Sequence, residues 1–172
     1  MNEVRITSGL YKGRKIPTPG GKTHPMGERE RIALFNMISD YVPGSRVLDA
    51  YAGSGALGIE AISRGAPEVE FLDKSPTVAK KIRATLKKLD IKARVVACDA
   101  SNFTSNEGFD LILADPPYDD FDVAGIEYLS GFLKNGGIFV LSHPEEAPII
   151  SEMKLLKTKR HAGARLSVYV KR

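Results

Sequence analysis

From residue 46 onward, short apolar runs alternate with longer stretches of mixed character, the rhythm of strands and helices in a parallel-sheet protein. The runs that predict strands are Arg46 to Ala50, Val69 to Leu72, Arg94 to Cys98, Phe109 to Ala114 and Gly137 to Ser142, each bounded by Gly, Pro or Asp. Between the second and third, Ser75 and Pro76 offer an N-cap and a first-turn proline. Val78, Ile82, Leu86 and Leu89 then build one apolar helical stripe and leave Lys80, Lys81, Lys87 and Lys88 for the polar face. Two more helices are predicted, Ala56 to Arg64 stopped by Gly65, and Val123 to Leu133 stopped before Gly136 and Gly137.

The tail breaks this rhythm. Pro144 to Met153 predicts one further helix, and Lys154 to Arg160 with Arg165 to Lys171 predict an antiparallel pair closing the sheet around His161, Ala162 and Gly163. At the front, Val4 to Pro17 is short, basic and punctuated by glycine, which predicts a small hairpin. Lys22 to Gly27 follows as a loop, and Glu28 to Tyr41 predicts a helix with Ile32, Phe35 and Ile38 on one face. The fold class is therefore α/β, a Rossmann-like and mostly parallel sheet. Residues 1–27 form a basic extension and residues 28–172 the main domain.

A chain of 172 residues, 42% hydrophobic and 27% charged, has the size and balance of one globular domain. No apolar run is long enough to span a membrane, and the first residues lack a signal-peptide profile. With a single cysteine, Cys98, no internal disulfide is possible, and the cytoplasm is the expected compartment. Cys98 beside a strand reads as a small buried hydrophobe. The net charge of +4 conceals a division: residues 1–46 carry +4, residues 47–153 carry −7 and residues 154–172 carry +7. Basic ends around an acidic middle suit a polyanionic partner at the ends and a different task in the middle, although solvated surface charge gives the same numbers.

The middle contains Gly53, Gly55 and Gly58 between a predicted strand and helix, with Asp73 at the end of the next strand. By pattern this is a dinucleotide site. Electrostatics opposes that reading, because Asp49 ends the first strand where a pyrophosphate would sit. Two like charges at about 4 Å and an effective dielectric near 20 repel by roughly 4 kcal/mol. S-adenosylmethionine carries an ammonium and a sulfonium but no phosphate, so an acidic residue there helps. Asp73 suits the ribose hydroxyls and Asp99, after the third strand, suits the adenine amino group. The plainer alternative, that these aspartates only form turns, has to account for three successive strands ending the same way.

Asp115, Pro116, Pro117 and Tyr118 follow the fourth strand. The two prolines present carbonyls and no amides, Asp115 adds an acceptor, and Tyr118 adds a ring on which a base can stack. Such a group can hold the exocyclic amine of a flat heterocycle in line with a methyl donor, so that positioning supplies most of the catalysis. An ordinary Asp-Pro turn is the competing reading.

Leu48 to Gly58 together with Asp115 to Tyr118 resemble the class I S-adenosylmethionine-dependent methyltransferases that act on exocyclic amines, whose tetrapeptide begins with Asp or Asn. Arg5, Ile6, Ser8, Gly9, Gly13, Arg14 and Lys15 resemble the opening of the 16S ribosomal RNA guanine-N2 methyltransferases of the RsmD type. So do Arg29, Arg31, Leu34, Phe35, Asn36, the stretch Ala52 to Leu57, and Ser63 to Gly65. The resemblance covers nearly the whole chain. It implies a seven-stranded sheet with the last strand antiparallel, an N-terminal hairpin, and methylation of one guanine in 16S ribosomal RNA or a small-subunit assembly intermediate; a monomer is the expected state. It also implies that Asp115 and the Pro116 carbonyl accept from the guanine amine while Tyr118 stacks on the base. Where the family has Thr-Arg-Pro-Thr before its first helix, this chain has Thr23, His24, Pro25 and Met26, so an Arg is replaced by a titratable His.

The expected cofactor set is Asp49, Tyr51, Gly53, Ser54, Gly55, Asp73, Lys74, Asp99, Ala100 and Asp115. The expected RNA set is Arg5, Lys12, Arg14, Lys15, Lys22, Arg29 and Arg31, a run of cations suited to phosphates. Lys157, Lys159, Arg160 and Arg165 form a second candidate surface, or equally a lysine-defended strand edge. His161 reads as structural or solvent-facing, and no metal-ligand spacing is present. Two other readings stay open: an adenine-N6 methyltransferase on DNA or another RNA, and a non-catalytic nucleotide-binding module.

Overall fold

The computed structural model describes residues 2–20 and 26–172; Lys22 and His24, both singled out above, lie outside them. A two-stranded antiparallel hairpin, β1 (Glu3–Arg5) with β2 (Lys15–Pro17), precedes helix α1 (Glu28–Met37). The main sheet follows with β3 (Arg46–Ala50), α2 (Ala56–Ser63), β4 (Glu68–Asp73), α3 (Pro76–Lys88), β5 (Arg94–Ala97) and β6 (Phe109–Ala114). It closes with α4 (Val123–Ser130), β7 (Leu133–His143), β8 (Met153–His161) and β9 (Ala164–Lys171). The strand order is β5-β4-β3-β6-β7-β9-β8, seven strands that all run the same way except β9, which is antiparallel to β7 and β8. Chain direction across the sheet reverses at β3, whose neighbours are β4 and β6. In an open α/β sheet that reversal opens a crevice at the strands' carboxyl ends.

Alternation along the strands divides the core into two layers. Val47, Val69, Phe71, Leu111, Leu113, Ile138 and Val140 pack with Leu34, Phe35, Ile59 and Ile82, and the hairpin's Ile6 and Ile16 join this layer. Leu48, Leu72, Ile112, Phe139 and Leu141 face the other way, against Phe103, Ile126 and Leu129. The helix after β4 forms as its stripe predicts, with the Ser75 hydroxyl accepting from the Val78 amide.

Four expectations are corrected. The segment from Pro144 to Glu152 is a loop, because Pro148 lacks the amide a helix needs there and steers the residue before it toward extended backbone, and Met153 already begins β8. The helix expected from Val123 to Leu133 stops at Ser130, and Leu133 already belongs to β7. In α1 the buried residues are Arg31, Leu34, Phe35 and Met37, followed by buried Ile38 just past the helix, while Ile32 is exposed and Tyr41 lies in a separate helical turn, Ser39–Tyr41. Cys98 is only partly buried. Among the described residues no helix is long and apolar enough to cross a membrane.

Candidate active site

The crevice beside β3 is built by a backbone that few residues tolerate. Tyr51, Gly53 and Gly55 all adopt positive φ, at 57°, 55° and 79°, which folds the chain back tightly between β3 and α2. Asp73, at the end of β4, clamps this turn: one carboxylate oxygen accepts from the Gly53 amide at 3.0 Å and the other from the Ser75 amide at 2.9 Å. Gly58 has a packing role, since a Cβ there would lie 2.3 Å from the Phe71 ring. All three glycines of the sequence pattern are thus required, two by conformation and one by contact.

Asp49 is completely buried at the end of β3. Its Oδ2 accepts from the Gly58 amide at 2.8 Å, so a carboxylate already occupies a first-turn amide of α2. A second first-turn amide, that of Ala56, is held by the Ser54 hydroxyl at 3.2 Å. A pyrophosphate would meet both the negative charge and the loss of donors. The other oxygen, Oδ1, is buried without a partner, as is the Tyr51 hydroxyl. Burial pushes the Asp49 carboxyl well up from the usual carboxylate range; the Gly58 amide opposes this, and Asp115 and Asp73 add to it. Burial also pushes the Tyr51 hydroxyl up to about 12, helped by Asp122, Asp99 and Asp120. Two unsatisfied buried polar atoms beside a phosphate-rejecting glycine turn fit a cationic, phosphate-free group.

The remaining cofactor candidates follow β4 and β5 at the same edge of the sheet. Asp99 holds the start of the helical turn Ala100–Asn102 by accepting from the Ser101 amide and hydroxyl, which lowers its pKa. Ala100 is buried, and exposed Lys74 lies 3.6 Å from Asp120.

Across the reversal point, β6 delivers Asp115 to the same edge. Pro116 is buried, Pro117 is exposed, and Tyr118, 38% exposed as a residue, begins a helical turn. The Tyr118 hydroxyl is hydrogen-bonded to Ser142, a residue of β7 that is only 2% exposed. Burial raises the Asp115 carboxyl to about 6; a hydrogen bond from Ser142 opposes the rise and Glu30 of α1 adds to it. An acceptor carboxyl, an amide-free backbone and a half-exposed ring therefore converge beside the buried carboxyl of Asp49.

The family described as conserved hypothetical protein 95 matches residues 4–170. The ribosomal RNA small subunit methyltransferase D of Haemophilus influenzae is 34% identical over 171 residues, covering 91% of this chain and 88% of that protein. The chain belongs to this RsmD-type family of class I methyltransferases. The solved yhhF protein of Escherichia coli, itself assigned as a methyltransferase only provisionally, superposes with a TM-score of 0.87 at 28% identity, covering 99% of this chain and 98% of its own. The 16S rRNA N2 G1207 methyltransferase RsmC of Thermus thermophilus, solved with AdoMet and guanosine, shares the fold at a TM-score of 0.68 and 22% identity, over 99% of this chain and 50% of its own.

In this RsmD-type chain the cations expected to face RNA do not share one role. Arg5, Lys12, Arg14, Lys15 and Arg29 are exposed, Lys15 lying 3.4 Å from Glu3. Arg31 is not available: it is 1% exposed, lies 3.8 Å from buried Glu60, and donates to the main-chain oxygens of Met26 and Arg5. Its assignment to the RNA surface is corrected to a structural one. Glu60 also accepts from the Thr7 amide and hydroxyl, the Ser8 amide and Arg64, so this carboxylate ties the hairpin to α2. The Leu10 amide donates to the Ser63 oxygen at 2.9 Å, and a Cβ on Gly9 would come within 1.8 Å of that oxygen. The hairpin turn thus sits at the end of α2 away from the glycine loop. In the tail, Lys157 donates to the Met37 oxygen at 2.8 Å, closing the C-terminus of α1, while Lys159 and Arg160 stay exposed on the outer strand β8.

Sequence reasoning passed over Ser142, Glu30 and Glu60. Ser142 did carry a signal, as a polar residue at the carboxyl end of a predicted strand.

Proposed function

We propose that this chain methylates the exocyclic N2 amine of a guanine in 16S ribosomal RNA, with S-adenosylmethionine as the donor. The observation that carries the reading is the pairing of Asp115 and the amide-free Pro116–Pro117 backbone with a half-exposed Tyr118 ring, beside a buried and unpartnered Asp49 oxygen. The ribosomal RNA named for the H. influenzae relative supports the substrate class.

When bound, the donor supplies an electrophilic methyl group. Asp49, Tyr51, the turn from Gly53 to Gly55, Asp73, Lys74, Asp99 and Ala100 are the residues that would hold it. Asp49 meets positive charge without phosphate, and Asp73 keeps acceptor capacity for ribose hydroxyls after clamping the turn. Asp115 and the Pro116 carbonyl accept hydrogen bonds from the two N–H groups of the amine, which turns the nitrogen lone pair toward the donor. As the N–C bond forms and the S–C bond breaks, the nitrogen sheds one proton, through Asp115 to solvent, and keeps the other. Tyr118 stacks on a base that has left its own stack. The exposed cations of the hairpin and Arg29 hold phosphates and carry no sequence information.

Labelled donor incubated with small-subunit particles, naked 16S RNA and DNA tests this reading, with the modified nucleoside identified after digestion. N2-methylguanosine from a ribosomal substrate is expected; label found only in adenine would refute the guanine assignment. Asp115→Ala is expected to abolish transfer and leave donor binding intact. Loss of both would move Asp115 into the cofactor site.

A further inference from the structure

We infer that the exposed face of α3 is a second phosphate-holding surface, which grips the backbone of the RNA substrate alongside the N-terminal hairpin. The inference rests on the RNA reading above for the identity of the partner, and adds a contact which that reading leaves out.

The −7 of residues 47–153 conceals a further division. Residues 74–94 hold eight Lys and Arg against Asp90 alone, while the rest of that stretch holds two against sixteen Asp and Glu. Of the eight, Lys74 and Arg94 face carboxylates, Asp120 at 3.6 Å and Glu70 at 2.8 Å. Lys81 and Arg83 donate to the main-chain oxygens of Pro19 and Val95, at 2.8 and 2.7 Å. Lys80, Lys87, Lys88 and Lys92 are exposed and have no ion-pair partner among the described residues. A solvated surface helix gains by placing acids three or four residues from its lysines. In α3 those positions hold like charges instead, Lys80 with Arg83 and Arg83 with Lys87, which repel within the helix. The C-terminal dipole of the helix favours Lys87 and Lys88, but it gives no support to Lys80 in the first turns. Charge that the helix itself disfavours suits an external anion.

The cations are also gathered in space. Arg83, Lys87 and Lys92, with Leu86, Asp90 and Ile91, line a cleft of about 420 Å³ where α3 ends. Its bond to Val95 holds the Arg83 guanidinium there before any ligand arrives. Ile82 and Leu86 of α3 pack in the core layer that holds the hairpin's Ile6 and Ile16, so both basic elements lie on one face of the sheet. The Lys81 ammonium joins α3 to the segment leaving β2. The helix starts at the crevice, where Asp73 accepts from the Ser75 amide, and its thirteen residues carry charge about 20 Å away from that edge. Phosphates repeated along a backbone match such a row of mobile point charges. A membrane surface does not, because Ile82 and Leu86 are buried and leave no apolar face of α3 to enter a bilayer.

The test is acetylation of lysine amines in the folded protein with and without full-length 16S RNA, read residue by residue by mass spectrometry. Lys134, paired with Asp110 at 3.0 Å, serves as the reference. Lys80, Lys87 and Lys92 are expected to be protected together with the hairpin's Lys12 and Lys15, and Lys134 is not. The Lys80→Gln/Lys87→Gln/Lys92→Gln variant should lower the salt slope of RNA binding by up to about 2.5 and raise the KM for RNA by about tenfold, with kcat, donor affinity and Tm kept. Arg at the same three positions should restore wild-type affinity, since phosphates answer to charge. Protection of Lys12 and Lys15 without protection of α3, or an unaltered slope in the Gln variant, overturns the proposal and leaves the methyl-transfer reading in place. Protection by polyglutamate but not by RNA overturns it in favour of an acidic protein. Protection of α3 by RNA in a protein that transfers no methyl group supports the surface and removes the methyl-transfer reading.

Discussion

Replacing Asp115 by Asn should make the protein more stable and less active at the same time, because the carboxylate sits where burial opposes its charge. Its pKa is raised from 3.8 to about 6 in the folded chain, so folding binds a proton more tightly than the unfolded chain does. The stability associated with this group is therefore full below about pH 4 and is lost as pH rises through 6. The loss amounts to about 0.6 kcal/mol at pH 4 and about 3 kcal/mol at pH 8. Solvent reaching the half-buried side chain makes the larger figure an upper bound. Asn keeps an oxygen that can accept from Ser142 and carries no charge, so Asp115→Asn escapes the loss. Removing this charge also relieves Asp49, whose ionisation Asp115 opposes. For a domain of this length the gain at pH 8 corresponds to at most about 6–12 °C in Tm, shrinking to about 1–2 °C at pH 4. Thermal unfolding of both proteins in the absence of donor, at half-unit steps across that range, reads this directly. A Tm difference that stays constant with pH, or one that favours the wild type at pH 8, would refute the reasoning.

Three other outcomes are expected. Burial raises the Asp49 carboxyl and a cationic donor beside it favours the ionised form, so donor affinity should fall with decreasing pH more steeply in the wild type than in Asp49→Asn; parallel pH dependences would rule out the linkage. Glu60→Ala leaves the Arg31 guanidinium buried without its carboxylate and should cost about 3–5 kcal/mol in urea unfolding, whereas a cost under about 1 kcal/mol would mean the pair is not what seats the hairpin. Arg14→Ala with Lys15→Ala should lower the salt slope of RNA binding by up to about 1.5 and leave donor affinity unchanged; an unaltered slope would assign both charges to solvent.

The central strands were legible because β3 and β6 are apolar on both faces, a pattern that few other structures share. Asp49, Asp73 and Asp115 were legible because each ends a strand, and the carboxyl ends of strands converge in this architecture. Arg31 was not legible as a core residue: its burial depends on Glu60 in another helix, a pairing that no local pattern announces, and helical periodicity alone favoured Ile32 for the buried face. The loop from Pro144 to Glu152 was not legible for a similar reason, since its apolar Ile150 and Ala147 serve the second core layer without helical backbone. Ser142 became recognisable only once β7 was placed beside β6.

The seating of the hairpin on α2 bears on how a substrate is chosen. Glu60 and the close fit of Gly9 against Ser63 fix the basic arm to the same helix whose first turn carries the glycine loop. The eight residues of α2 span about 12 Å. Lys12 and Arg14 are thus carried on the helix that also carries the glycine loop, and under the RNA-binding reading the molecule would work as a caliper. If its tip grips phosphates, an RNA is accepted when a backbone ridge lies at a matching reach from the target nucleotide, whatever bases lie between. A short linear fragment containing the right guanine would fill one jaw only, so selection would act on the folded shape of the RNA before any base enters the pocket.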